Sequence, residues 1–211
     1  MDNVERIPEN PELNDQEKRA AEKKRRAERV ADVQNTILSY LHDLVFLLVG
    51  LLLLFVMLFR IVVVSGPSME NTLVNGDYLL VLSSSVYSDP KVGDVVVVSK
   101  DSFKSGEPIV KRVVATEGQT VEIAGGVVYV NGVAQEGYEF TTPGYDMAFP
   151  LVVEEGCVFV MGDNRNESKD SRSREIGMVD EREVLGKVLF IALPAADPST
   201  RKRNFSRFGA V

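Results

Sequence analysis

The chain has 211 residues and a formal net charge of −7, an acidic balance that argues against nucleic acid as its main partner. It contains one cysteine, Cys157, and one histidine, His42. These scarcities exclude an internal disulfide, a multi-histidine zinc site and, because His42 borders an apolar run, a Ser–His–Asp triad further downstream. Cys157 precedes an apolar stretch and is expected to be buried rather than reactive.

Residues 1–43 are predicted to form a cytoplasmic tail. Residues 1–17 are polar, acidic and proline-containing, which is typical of a disordered segment. The stretch from Lys18 to Arg29 mixes basic residues with alanine and glutamate, a composition that favours helix. It serves equally as a solvated helical face and as a signal for membrane topology.

The run from Leu44 to Val64 is apolar except for Gly50 and Arg60. As a helix it would span roughly 30 Å, the thickness of a bilayer core, with Arg60 near one end. A cleaved secretory signal fits poorly, because the run is long and no small-x-small cleavage site follows it. A buried core helix is the alternative. We predict a single transmembrane helix over residues 44–64.

Charge predicts the orientation of this helix. The N-terminal flank carries the basic cluster, whereas Ser65 to Ser84 contains no lysine or arginine. Positive flanks stay in the cytoplasm, so residues 65–196 are expected to form an extracytoplasmic domain. Residues 197–211 are predicted to be a basic C-terminal tail that is loose or touches anionic lipid, with Arg207 among its charges.

The downstream domain is predicted to be mainly β. Short β-branched or apolar runs are bounded by turn residues, and a Gly125-Gly126 turn followed by Asn131-Gly132 indicates a hairpin. Glu136 to Glu155 is expected to be a long loop or insertion. The predicted strands include Tyr78–Leu82, Val95–Val98, Val121–Ile123, Val127–Val130, Val158–Met161 and Val184–Leu193.

Ser68 follows Gly66-Pro67 and is expected on a tight turn, where most serines are merely turn residues. If it is a nucleophile, a lysine must take its proton, because the domain has no histidine. A lysine does this near neutral pH only if burial lowers its pKa from about 10.4 by some three units. Lys111 lies in the apolar pattern from Ile109 to Val114, although an edge-strand lysine facing water fits the same pattern.

A dense polar run from Gly162 to Arg172 follows an apolar strand. It is either an ordinary loop rich in Asx residues or a set of charges behind a catalytic pair. Together with the segments around Ser68 and Lys111, this run resembles three sequence boxes of the type I signal peptidases. Those are membrane-anchored serine proteases that remove signal peptides from exported proteins. The resemblance extends from the apolar run to about Leu193.

The resemblance implies roles for individual residues. Ser68 would attack the scissile carbonyl, Lys111 would be the general base and Ser168 would hydrogen-bond and orient that lysine. Two acidic residues would support the site, Asp170 by an ion pair with Arg172 and Asp163 by bracing the same loop. The backbone N–H of Ser68 would donate to the oxyanion.

Two positions depart from the family pattern. Asn71 stands where the family usually has proline, which is expected to loosen the turn. Gly66 stands where some members carry a serine that completes the oxyanion hole, which leaves the second donor open, with Ser65 possible but out of register.

The expected fold is therefore a coiled β-sheet catalytic domain of the signal peptidase type behind one transmembrane helix. Its expected partners are secretory precursors and the lipid bilayer, with lipid contact at Val74 and Leu79–Leu80, and it needs no metal or cofactor. A soluble self-cleaving serine–lysine protease of the repressor type and a membrane-tethered scaffold with a dead site are the rival interpretations. The sequence predicts no oligomeric state.

Overall fold

The computed structural model describes residues 11–103, 106–144 and 146–211, with side chains from residue 15 onward. The chain divides into two units, residues 1–54 and residues 55–211. Two elements lie at the start of the described chain, the helix α1 (Pro11–Leu58) and the strand β1 (Phe59–Val63). The remaining strands are β2 (Tyr78–Ser83), β3 (Val95–Val98), β4 (Ile109–Thr116), β5 (Thr120–Ala124), β6 (Val127–Val130), β7 (Val133–Ala134), β8 (Leu151–Val152), β9 (Cys157–Met161), β10 (Val179–Asp180), β11 (Val184–Leu193) and β12 (Gly209–Ala210).

The helix α1 is longer than predicted at its N-terminal end and shorter at its C-terminal end. Residues 11–17, predicted to be disordered, are helical, while residues 1–10 lie outside the described part of the chain. The apolar segment of α1 exposes its side chains all around the helix. Among the described residues it is the one helix long and apolar enough to cross a membrane.

The predicted helix over residues 44–64 is wrong beyond Leu58. Residues 59–63 form β1, which pairs antiparallel with β2 in the register Ile61↔Leu80 and Val63↔Tyr78. The reason is that Ile61, Val62 and Val63 are β-branched and find a partner strand. Hydropathy alone does not distinguish such residues from the end of an apolar helix.

The main sheet of the second unit is antiparallel throughout. Its strand order is β1-β2-β11-β3-β4-β9-β10, with β12 pairing with β11. A second sheet has the order β7-β6-β5-β8 and contains the predicted hairpin. The predicted strands from Tyr78 to Leu193 are confirmed. The predicted loop from Glu136 to Glu155 holds one short strand, β8, which pairs with β5.

Two Gly-Asp turns introduce β2 and β3 in the same way. The carboxylate of Asp77 accepts the backbone N–H of Val74 at 2.8 Å, and that of Asp94 accepts the N–H of Lys91 at 3.1 Å. In both turns the preceding glycine has a positive φ, 91° at Gly76, a conformation that glycine adopts without strain. The recurrent Gly-Asp pair is therefore a turn that starts a strand.

The last residues of the chain do not form the loose tail that was predicted. A 3₁₀ turn over Phe205–Arg207 is followed by β12, which pairs with β11 at Phe190 and Ile191. The ring of Phe208 lies 5.8 Å from the ring of Phe190. The basic composition of residues 197–211 concealed this docking, because basic side chains alone do not show whether they meet solvent or a buried acid.

Three hydrophobic clusters support the site. The first fills the space between the Ser68 segment and strands β2, β3 and β11. The second, which includes Val96, Val113 and Val160, packs β3, β4 and β9 together, and the third joins the second sheet to β9. The first cluster consists of Val64, Met69, Leu73, Leu79, Val81, Val95, Val97, Val110, Val188 and Ile191. The third includes Val114, Ala115, Val121, Val128, Val153, Phe159 and Met161.

Candidate active site

Ser68 lies on a turn that is held from inside the domain. Its neighbour Met69 and the nearby Leu73 are 1% and 0% exposed and anchor the segment in the first cluster. The carbonyl of Met69 accepts the N–H of Leu73 at 2.8 Å, and the carbonyl of Pro67 accepts the N–H of Glu70 at 2.9 Å. Two buried apolar side chains and two turn hydrogen bonds thus leave Ser68 half-buried and facing Lys111.

Lys111 is 3% exposed and lies on β4, where it pairs with Val96 of β3. Its Nζ lies 2.7 Å from the Oγ of Ser68 and 3.0 Å from the carbonyl oxygen of Val110. The structure therefore brings together the two residues that the sequence nominated from segments 43 positions apart. The alternative in which Lys111 faces water does not hold.

The polar run after β9 folds back on itself around an ion pair. Asp170 and Arg172 are 1% and 5% exposed, and the Nε of Arg172 lies 2.8 Å from the Oδ1 of Asp170. The other carboxylate oxygen of Asp170 accepts the N–H of Gly162 at 3.0 Å. Arg172 also donates to the backbone carbonyls of Thr142 and Arg165. This buried pair fixes the shape of the loop from Gly162 to Arg172.

Ser168 lies beside the pair but does not make the expected bond. Its Oγ is buried and has no hydrogen-bond partner among the described residues. An ideal Cβ built on Gly162 would lie 2.3 Å from this Oγ and 2.3 Å from the carbonyl oxygen of Ser68. The predicted hydrogen bond from Ser168 to Lys111 is absent in this structure, where the Nζ of Lys111 is instead directed at Ser68 and Val110.

Asp163 does more than brace its own loop. Its Oδ2 accepts the hydroxyl of Thr72 at 2.6 Å, and both of its oxygens take the guanidinium of Arg112, at 2.8 Å and 2.7 Å. The hydrogen bond that Arg112 donates to Asp163 raises the pKa of Arg112 above its ordinary value. Because Thr72 follows Ser68 closely and Arg112 follows Lys111, Asp163 ties the two halves of the candidate pair together.

Sequence reasoning missed the roles of Thr72 and Asn164. Asn164 donates its backbone N–H to the carbonyl of Ser68 at 3.1 Å and its side-chain amide to the carbonyl of Pro67 at 3.2 Å. Both residues stand inside the recognised sequence boxes, which was the available signal. Their partners lie more than ninety positions away along the chain, so no local pattern could assign them.

The two departures from the family pattern have structural consequences. Gly66 has φ 92°, its N–H donates to the side chain of Asn75, and the position of its missing Cβ is open space. Asn71 has φ 82°, which proline cannot adopt because its ring fixes φ near −65°. The turn at Asn71 therefore has a backbone conformation that a proline at this position would not allow.

A cavity of about 330 Å³ opens beside Ser68 and Lys111. One wall is the segment from Val62 to Met69 and the other is the segment from Glu107 to Lys111. Phe103, Lys169 and Glu175 complete the lining. A buried amine in contact with a serine hydroxyl beside an open cavity can support acyl transfer to the serine.

Comparisons with known proteins identify the family of the chain. The family model described as signal peptidase, peptidase S26, matches residues 37–193. The chain is 39% identical over 142 residues to a probable signal peptidase I-1 from Synechocystis, which covers 63% of this chain and 70% of that protein. It is 30% identical over 178 residues to a signal peptidase I from Bacillus licheniformis, with coverage of 79% and 94%.

Among solved structures, a signal peptidase I from Enterococcus faecalis matches with 29% sequence identity and a TM-score of 0.39. It covers 47% of this chain and 96% of that one. The family model spans most of the domain and the segments that carry Ser68, Lys111 and Asp163. The chain belongs to the signal peptidase family, peptidase S26.

Proposed function

We propose that the protein is a membrane-anchored serine endopeptidase that removes signal peptides from exported precursors at the outer membrane surface. Ser68 is the nucleophile and Lys111 the general base. The observation that carries this proposal is the 2.7 Å contact between the Lys111 Nζ and the Ser68 Oγ, made where Lys111 is buried. Membership of the signal peptidase family supplies the class of substrate.

The chemistry requires an uncharged Lys111. Burial disfavours the charged ammonium, so the buried setting supports a neutral amine. The amine takes the Ser68 hydroxyl proton as Oγ attacks the scissile carbonyl, and the resulting ammonium then protonates the departing amine. The neutral amine of Lys111 next takes a proton from water, and the oxygen of that water attacks the acyl-enzyme ester. Lys111 then returns the proton to the Oγ of Ser68 as the new carboxyl end leaves.

The oxyanion is proposed to meet the backbone N–H of Ser68. The N–H of Gly66 is directed at the Oδ1 of Asn75, 3.1 Å away, which makes it a poor second donor unless Asn75 moves. Loop residues that support the pair are Asp163, Ser168, Asp170 and Arg172. Their proposed role is to hold the Ser68 and Lys111 segments in register. Asp163 joins Thr72 to Arg112, and the ion pair of Asp170 with Arg172 holds backbone groups of the surrounding loop.

The substrate is proposed to bind as an extended strand in the cavity beside Ser68. Two segments with strand character face each other there, β1 with Val64 and the start of β4. In the described part of the chain β1 pairs only with β2, and β9 pairs with β4 only from Arg112 onward, so both segments offer an edge. Added strands gain main-chain hydrogen bonds, and valine-lined walls leave room for small side chains.

The helix α1 is proposed to anchor the enzyme with its N-terminus in the cytoplasm. The support is its exposed apolar segment, the basic cluster before it and the absence of lysine and arginine from Ser65 to Ser84.

An apolar sheet face is proposed to meet the lipid near the site. Ile61 and Val63 are 64% and 49% exposed, and their partners Leu80 and Tyr78 lie on the same face of the sheet. Leu79, expected to contact lipid, is instead buried in the first cluster, because it points to the opposite face. Val74 is partly exposed, as a lipid contact requires.

The decisive experiment incubates the purified protein in detergent with a secretory precursor. Wild type is expected to release the signal peptide, whereas Ser68→Ala, Lys111→Met and Lys111→Arg are expected to release none while remaining folded. Arg stays charged, so activity retained in Lys111→Arg would contradict the general-base role. Ser84→Ala and Lys91→Met, at exposed positions, are the matched controls and are expected to cleave normally.

The anchoring geometry has its own test. A rigid helical insert of two turns between Leu58 and Phe59 lengthens the anchor by about 10 Å. Precursor processing in membrane vesicles is expected to fall, while cleavage of a soluble peptide in detergent is retained. Undiminished processing in vesicles would contradict a role for depth.

A further inference from the structure

We propose that Arg207, near the C-terminal end of the chain, is a positioning residue for the Ser68 turn, an inference that rests on the proposed function. Its guanidinium reaches the turn that links Ser68 to β2. Nη1 lies 2.9 Å from the Oδ1 of Asp77, and Nη2 lies 2.7 Å from the Oδ2 of Asp77 and 3.2 Å from the carbonyl oxygen of Thr72.

Asp77 needs this cation. Its side chain is fully buried and also accepts the backbone N–H groups of Val74 at 2.8 Å and Ala195 at 2.7 Å. Burial opposes ionisation of the carboxyl, but the hydrogen bond from Arg207 and the two backbone donors lower its pKa overall. Without Arg207 a buried carboxylate would lose its only basic side-chain partner among the described residues.

Thr72 transmits the contact to the active site. Arg207 holds its carbonyl, while Asp163 accepts its hydroxyl at 2.6 Å. The N–H of Thr72 in turn donates to the carbonyl of Met69, the residue directly after Ser68, at 3.1 Å. Thr72 is thus fixed on one side by the loop that also holds Arg112 and on the other by the C-terminal segment, and Ser68 moves with it.

The C-terminal segment is built to deliver Arg207. On one side Asn204 caps the 3₁₀ turn, its Oδ1 accepting the N–H of Ser206 at 3.1 Å. On the other side β12 pairs with β11, and Phe208 packs near Phe190. Two independent attachments flank the arginine, which is 27% exposed at its side chain. The segment lies beyond residues 37–193, the part that the signal peptidase model matches.

The test compares Arg207→Gln, Arg207→Lys and the control Lys202→Gln, whose side chain is exposed. Precursor cleavage gives kcat and KM, and thermal unfolding gives the folded fraction at the assay temperature. In Arg207→Gln we expect kcat to fall about tenfold with KM within about twofold, because the serine is displaced rather than the cleft. Arg207→Lys keeps the positive charge but cannot bond both oxygens of Asp77 at once. Its kcat is therefore expected to lie between those of Arg207→Gln and wild type.

Chemical rescue separates positioning from folding. Millimolar guanidinium chloride is expected to restore part of the kcat of Arg207→Gln, and sodium chloride at equal ionic strength is not. Wild-type kcat in both variants, or losses that only track the folded fraction, would overturn the inference. If Arg207→Gln does not fold, Arg207→Lys decides by the same criteria. Failure of the proposed function appears instead as a wild type that does not cut or a Ser68→Ala variant that does.

Discussion

Gly162→Ala is expected to displace Ser68, the proposed nucleophile, through a contact with its backbone. Gly162 directly follows β9 and packs against the backbone of Ser68, so the added Cβ would lie 2.3 Å from the Ser68 carbonyl oxygen. It would also lie 2.3 Å from the Oγ and 2.5 Å from the Cβ of Ser168, so rotation of that side chain alone does not make room. Ordinary contact begins near 3.4 Å, so one backbone must yield by about 1 Å.

The magnitude follows from what has to move. A displacement of about 1 Å at a reacting group costs on the order of a hundredfold in rate, so kcat/KM is expected to fall about that far. Overpacking of this kind also lowers the free energy of unfolding, by about 1–3 kcal/mol. Precursor cleavage under single-turnover conditions measures the first effect, and urea denaturation measures the second.

Gly118→Ala is the matched control. Gly118 has φ 73° and open space where its Cβ would lie, so the substitution strains the backbone without touching the site. It is expected to lower stability by about 1 kcal/mol and to leave kcat/KM unchanged. A Gly162→Ala enzyme that is folded and cleaves at the wild-type rate would refute the reasoning, since the serine backbone would then not be held by Gly162.

Three further outcomes are expected. Asn71→Pro, which restores the residue usual in the family, is expected to cost at least about 2 kcal/mol in urea denaturation, whereas Asn71→Gly stays within about 0.5 kcal/mol of wild type. An equal stability of the two variants would be inconsistent with φ 82° at this exposed position. Asp163→Asn is expected to lower the free energy of unfolding by about 2–3 kcal/mol, because it leaves Arg112 without its carboxylate. An unchanged free energy of unfolding in urea denaturation would disprove this. Burial opposes ionisation of Asp77 and Asp94, but hydrogen bonds from basic side chains lower the pKa of both carboxyls below the value of about 3.9 in the unfolded chain. The free energy of unfolding is therefore expected to fall as the pH drops below about 4, less steeply in Asp94→Asn, and an identical slope would exclude that contribution.

Sequence reasoning succeeded where the signal is local. Short β-branched runs between turn residues predicted strands such as Val95–Val98 and the hairpin around Gly125-Gly126, which the fold contains. The apolar context of Lys111 made it the candidate base and left open an edge-strand lysine facing water, and the structure buries it. In each case the deciding property belongs to neighbouring residues, so a window of a few positions is enough.

It failed where a residue's role depends on a distant partner. Arg207 was assigned to a loose tail, yet its charge is used by Asp77, 130 positions earlier in the chain. The hydropathy of Phe59–Val63 continues that of α1 and predicts helix, whereas pairing with β2 makes this segment a strand. Composition shows which interactions a side chain is capable of. Whether it meets solvent, lipid or a protein partner depends on the tertiary structure.

Apolar and polar contacts have different effects on the position of Ser68. Burial of Met69 and Leu73 fixes the depth of the turn, but dispersion and the hydrophobic effect are non-directional and do not set the direction of a hydroxyl. Direction requires hydrogen bonds, and these come from Asn164, Asp163 and Arg207, which approach the turn from two separate parts of the chain. A serine outside regular strands thereby gains a position as definite as that of Lys111, which is held by pairing with β3 and by the β4–β9 pairing that begins at Arg112. The proposed proton transfer between them requires that both are fixed.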